Sequence, residues 1–196
     1  MMSKPVLLAA LLAVAALAGC GTSPKANFYT LGPDAAPAQA QTSYSVAIGA
    51  VTVPDILDRP QIVIRAGANQ VMINDFERWA GSLKYEIARA IADNLTQMLG
   101  GAIVYAYPQG LNVAADYKVQ VDVQRFDSAL GDAATVEVLW QVRPAKGEPK
   151  NGRSAVREST GDAKSYDALV AAHNRAIAAV SRDIANAIRA GGAASQ

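Results

Sequence analysis

The chain is nearly devoid of the two residue types that build most catalytic and metal sites: it has one cysteine and one histidine. A hydrolase needs a nucleophile, a base and an orienting acid, and the sole imidazole, His173, falls on the apolar stripe of a helical segment, where a core or interface role is expected. A zinc site would have to rest mainly on carboxylates, which is rare for that metal. Phosphate-cradling glycine loops are missing too, because Gly100-Gly101 and Gly191-Gly192 follow helical segments, whereas anions bind at helix amino termini. Asp55 and Asp58 could in principle do acid–base work, but a solvated loop is the expected setting. No catalytic residue, cofactor or metal ligand is assigned, and the chain is expected not to be an enzyme.

Charge of one sign is lacking as well. The 18 basic residues face 17 acidic ones, and once Lys4 is removed with the leader described next, 17 face 17. Such neutrality argues against a nucleic-acid surface or an electrostatic membrane patch. A spanning helix needs about 20 apolar residues, and after Cys20 no run comes close.

What is present begins at the amino terminus. Lys4 gives a short positive region and Val6 to Ala18 form an unbroken apolar run of thirteen residues, a length suited to a signal peptide. Its end, Leu17-Ala18-Gly19-Cys20, matches the lipobox of bacterial lipoprotein processing. A lone Cys in an oxidising compartment would otherwise be a free reactive thiol, and acylation uses it. Two or three acyl chains, at about 0.8 kcal/mol per buried methylene, would hold the protein durably to a membrane. Removing residues 1–19 of the 196 leaves 177, enough for one domain. The expected organisation is a signal peptide over 1–19, a lipidated tether over 20–26, a folded domain over 27–190 and a flexible tail over 191–196. The tether residues Gly21 to Ala26 reach about 20 Å when extended, so the domain is expected beside its membrane.

Within the domain, residues 27–31 read as a short strand and 32–42 as an irregular connection. Residues 44–53 are apolar on both sides and read as a strand buried on both faces. Residues 61–65 and 70–73 flank Ala66-Gly67-Ala68-Asn69 and read as a hairpin. Leu83, Ile87, Ile91, Leu95 and Leu99 recur at intervals of four, predicting one helix over 82–99 that stops at Gly100-Gly101. Strands are predicted over 102–107, 116–126 and 133–142, the middle one alternating Val119, Val121, Val123 with Gln120, Asp122, Gln124, so that one face is wet. A connection over 144–152 leads to an edge strand over 153–160. Ser165 can cap a closing helix carrying Leu169, His173, Ile177, Val180, Ile184 and Ile188, ending before Gly191. Two amphipathic helices and about seven strands predict a single-domain α/β two-layer sandwich with a mixed, largely antiparallel sheet.

Two segments lie largely outside this periodicity: Pro54 to Gln61, and Phe76-Glu77-Arg78-Trp79. Buried Arg needs a carboxylate partner, and exposed Arg and Trp are enriched at interface hot spots. Leu57, Asp58, Arg59, Pro60, Gln61, Arg65, Arg78 and Trp79 therefore form either internal ion-paired clamps or a partner surface; the pattern alone favours neither.

These residues resemble the PqiC family of ABC-type transport auxiliary lipoproteins. The resemblance runs through Phe28-Tyr29-Thr30-Leu31, Val53-Pro54, Leu57 to Val63 with Arg65, Arg78-Trp79-Ala80 with Leu83, Asn94-Leu95, Tyr117 to Phe126, and Tyr166 to His173, covering essentially the whole mature chain. The Asp-Arg-Pro-Gln-Ile-Val run with Arg-Trp thirteen residues after Arg65 is its most specific part. One departure is Gly81-Ser82, where many members carry Glu-Pro. The resemblance implies an accessory of an MCE-type lipid transport system, with an MCE-family periplasmic protein and an inner-membrane permease as partners, a homo-oligomeric ring as one arrangement, and outer-membrane attachment facing the periplasm, with which Gly21 after the lipidated Cys20 is compatible. A direct lipid-binding role, or a structural role in another envelope machine, are the alternatives.

Overall fold

A computed structural model describes residues 24–37, 43–161 and 164–192. The signal-peptide segment 1–19, Cys20, tether residues 21–23 and the end of the chain over 193–196 lie outside the described residues. Eight strands and two helices follow in the order β1 (Asn27–Tyr29), β2 (Ser45–Thr52), β3 (Gln61–Arg65), β4 (Val71–Trp79), α1 (Leu83–Met98), β5 (Ile103–Tyr105), β6 (Tyr117–Ser128), β7 (Ala133–Pro144), β8 (Lys150–Ser159) and α2 (Tyr166–Gly192). One sheet has the order β5-β2-β6-β7-β8, and a second, smaller one the order β1-β4-β3. Both are mixed: β2 runs parallel to β5 and β6, and β1 parallel to β4. The long β6-β7 and β7-β8 ladders are antiparallel and carry most of the pairing.

The two helices lie side by side on one face of the larger sheet. The intervals that predict them are the ones buried: Leu83, Ile87, Ile91 and Leu95 on α1, and Leu169, Ile177, Val180, Ile184 and Ile188 on α2, are all within 2 % of full burial. Opposite them β6 and β7 contribute Val119, Val121, Val123, Val136, Val138 and Val142. The other face of the sheet is wet. It carries the ion pairs of Arg125 and Arg153 with Glu137 and of Arg157 with Asp132. β2 is covered on both sides in its first half because a 3-10 turn over Gln109–Asn112 lies against it; a Cβ on Gly110 would sit 2.9 Å from the Ile48 carbonyl oxygen, so only glycine allows this approach.

The stretch after β1 is irregular, as expected, but it is laced to both helices. The Leu31 N–H donates to Glu86 Oε2 (3.0 Å), the Gly32 N–H to Asn174 Oδ1 (3.0 Å) and the Asp34 N–H to Asn94 Oδ1 (3.0 Å), while Arg89 donates to the Leu31 carbonyl (2.7 Å). These bonds replace the ladder partners that the segment lacks, and Leu31 ends fully buried.

Several boundaries differ from the sequence reading. β4 reaches Trp79, so Phe76-Glu77-Arg78-Trp79 is strand rather than an aperiodic segment; its first six residues are exposed or half-exposed, leaving no alternation to read. β8 begins at Lys150, because its ladder with β7 continues to Val142, and the connection shrinks to residues 145–149. Helix α2 runs through Gly191 and Gly192; a glycine costs a helix only about 1 kcal/mol, and a Cβ on Gly191 would fall in ordinary contact with the Tyr117 ring. At Gly81-Ser82 the helix start is regular: Ser82 has φ −62°, a value proline also takes, and its carbonyl accepts from the Tyr85 and Glu86 N–H groups.

On the helix side of β7, the Trp140 indole lies flat over Gly152, where a Cβ would fall 2.1 Å from the ring. Its Nε1–H donates to Ser154 Oγ (3.0 Å), and the Ser154 hydroxyl donates to Asp183 on α2 (2.6 Å). Gly152→Ala must displace the ring, an overpacking expected to cost about 1–3 kcal/mol; chemical denaturation should show that loss together with a red shift of Trp140 emission. An unchanged midpoint would contradict this packing.

Candidate functional site

The residues singled out by their sequence pattern come together on the smaller sheet and the loop that enters it. A 3-10 turn over Asp55–Leu57 follows Pro54, with the Leu57 N–H bonded to the Pro54 carbonyl (2.8 Å) and the Arg59 N–H to the Leu57 carbonyl (2.8 Å). Pro60 cannot donate, but its carbonyl accepts from the Trp79 N–H (2.7 Å), and Gln61 pairs with Arg78 in the ladder. The two sequence segments are thus stitched to each other by backbone bonds.

The side chains divide into two groups. Trp79 points into the core, 4 % exposed, edge-on to Phe126 (6.2 Å between centroids) and to His173 (6.4 Å). His173 stacks on Phe126 at 3.9 Å with 4° between the planes, and its Nε2 lies 2.8 Å from Ser128 Oγ. Arg65 pairs with Asp127 at the end of β6, and Asp127 also receives Arg125. Leu57 packs against the core, and Asp58 receives Lys84 of α1 (2.8 Å). Gln61 donates to Asp75 (3.2 Å). Trp79, Arg65 and Leu57 are therefore clamps that fasten the smaller sheet to the sandwich.

Arg59 and Arg78 are different. Both line an open groove of about 450 Å³ together with Phe28, Pro60, Trp79, Ser82 and Asp58, whose carboxylate is taken by Lys84. The Nε of each is buried with no hydrogen-bond partner, and neither guanidinium is in an ion pair. Phe28, beside Arg78 in the β1-β4 ladder, is 63 % exposed. Two guanidinium groups with no ion pair among the described residues, next to an exposed aromatic ring, form a surface that can take a carboxylate or phosphate. The sequence pattern could not separate these two arginines from Arg65, because the separating fact is the placement of Asp127, sixty-two residues away in the chain.

The Ser128–His173 contact is the one Ser–His pair among the described residues, and both members are buried among aromatic rings. His173 Nδ1 has no partner, so no acid orients the ring. Among the described residues no group of three or more His, Cys, Asp or Glu is placed to hold a metal ion, and no helix is long and apolar enough to cross a membrane.

Burial lowers the His173 pKa to about 3, against the opposing pull of the Asp127 carboxylate. An unfolded histidine titrates near 6.5, so below that pH the unfolded chain binds a proton that the native one refuses. Stability from this group is complete above about pH 6.5 and is lost at up to roughly 1.4 kcal/mol per unit as pH falls toward 3. Thermal unfolding of wild type and of Ser128→Ala/His173→Leu between pH 7 and 4 should show a shallower decline in the double variant; parallel declines would mean that His173 does not titrate in this way.

A family model described as the ABC-type transport auxiliary lipoprotein component matches residues 29–185. A search of curated proteins finds no match. The fold is similar to that of a crystal structure titled only as an uncharacterized protein, with a TM-score of 0.70 and 20 % identity over 84 % of this chain and 99 % of the other. It is also similar to a protein from Xanthomonas campestris, with a TM-score of 0.66 and 20 % identity over 87 % of this chain and all of the other.

Proposed function

The chain belongs to the family of ABC-type transport auxiliary lipoproteins, and from that membership we propose that it is a non-catalytic subunit of an MCE-type lipid transport system, docking the periplasmic MCE conduit at the outer membrane. Cys20 carries the lipid in this reading, and the MCE-family protein and its inner-membrane permease are the partners. The observation that carries the docking role is the groove of Arg59 and Arg78, whose guanidinium groups are in no ion pair among the described residues and whose Nε atoms have no hydrogen-bond partner there. A carboxylate of the conduit fits that vacancy, with Phe28 supplying apolar contact beside it. The short tether supports the same geometry: about 20 Å of chain keeps the domain at its own membrane, so the conduit comes to the lipoprotein. A lipid-carrier role has less support, since the space between sheet and helices is filled by Ile91, Leu95, Ile177 and Ile184.

Two outcomes test this reading. With residues 1–19 replaced by a leader that is cleaved without lipidation, Cys20→Ala should move the chain from the membrane to the soluble fraction, and persistence in the membrane would refute lipid anchoring through that sulfur. In crosslinked membranes Arg59→Ala/Arg78→Ala should lower recovery of the MCE protein by about tenfold or more, equivalent to about 1.4 kcal/mol of binding. The same variant should lose about 1 kcal/mol or less of stability, because only the packing of the two aliphatic stems is removed. Undiminished recovery would place the contact elsewhere.

A further inference from the structure

From the direction in which β1 enters the smaller sheet, we propose that the β3-β4 hairpin lies on the lipid surface to which Cys20 is anchored. β1 is parallel to β4, with Asn27 opposite Glu77 and Tyr29 opposite Trp79. The chain before Asn27 therefore departs toward the beginning of β4. From Glu77 back to Val71 the strand covers about 20 Å, the same reach as the tether. A tether of that length leaving in that direction suffices to put the hairpin tip at the surface that holds the anchor.

The tip has the composition of a membrane-contacting element. Residues 66–74 contain no charged side chain, and Val71, Met72 and Ile73 are 48 %, 48 % and 37 % exposed, with Phe76 at 41 % just behind them. On the β1 side no strand flanks residues 71–76 among the described residues. The tip itself is closed by the Ala66 and Gly67 N–H groups donating to the Gln70 carbonyl. A contiguous exposed apolar patch of this kind marks an interaction surface, and the position of the anchor favours lipid as the occupant over a second copy or another protein. Apolar side chains so placed would sit at the boundary of headgroups and acyl chains, and the Arg59–Arg78 groove, at the other end of β4, would stand roughly 20 Å above the lipid surface. The inference rests on lipidation of Cys20 and not on the identity of the transport partner.

The test uses the native lipidated protein carrying Met72→Trp, reconstituted into vesicles of phosphatidylethanolamine and phosphatidylglycerol with brominated or plain acyl chains. Leu139→Trp, on the wet face of the larger sheet, is the control, and Trp79 and Trp140 give the same background in both. The expected result is a blue shift and bromine quenching of the indole introduced at position 72, with neither at position 139. Co-sedimentation with vesicles without quenching at position 72 would overturn the hairpin's placement and leave the anchor standing. A blue shift equal in both kinds of vesicle would show the tip covered by protein and would also overturn it. Failure to co-sediment would defeat the lipid anchor and this inference together.

Discussion

The face-to-face stack of His173 on Phe126, closed at its edge by Trp79, joins the three parts of this molecule. Phe126 belongs to the larger sheet, His173 to the closing helix and Trp79 to the smaller sheet, so one aromatic cluster fixes their mutual placement. Such pairs are worth about 0.5–1.5 kcal/mol each beyond the area they bury, which is modest beside the main core. Their position matters more than their energy, since the smaller sheet has little core of its own. Arg65 on Asp127 adds a second fastening a short distance along β6, which bonds within β6 and across to β7 hold in place.

With the smaller sheet held in this way, everything it carries is directed outward from a rigid frame. On the polar face of the larger sheet Arg125, Arg153 and Arg157 are paired with Asp127, Glu137 and Asp132. The smaller sheet instead leaves two guanidinium groups and an exposed Phe28 at one end of β4 and an apolar tip at the other. A binding element supported by packed side chains keeps its geometry better than one borne on a loop alone. In the proposed reading, the sandwich supplies stability and the appended sheet supplies contacts.

Most of the sandwich was legible in the chain because burial imposes a period. Leu83 to Leu95 and Leu169 to Ile188 repeat at three and four, and Val119 to Val123 alternate, so their elements and faces follow directly. β4 was only half legible, since Val71 to Phe76 are exposed on both faces and a strand without a buried side has no alternation. The family motif was visible as a cluster of unusual residues, yet its division into ion-paired arginines and unpaired ones was not. That division depends on which carboxylates the fold brings near each arginine: Asp127 reaches Arg65, and among the described residues none pairs with Arg59 or Arg78. His173 was expected on a buried stripe, but its stack on Phe126 and its bond to Ser128 required the register of β6 against the closing helix.

Position-specific photo-crosslinking in intact cells tests the central claim, that the groove of the smaller sheet is the docking surface, most directly. A photoreactive side chain at Phe28, beside Arg78, is expected to capture an MCE-family protein, whereas the same group at Asn151, on the wet face of the larger sheet, is not. Capture from position 151 with none from position 28 would contradict the account.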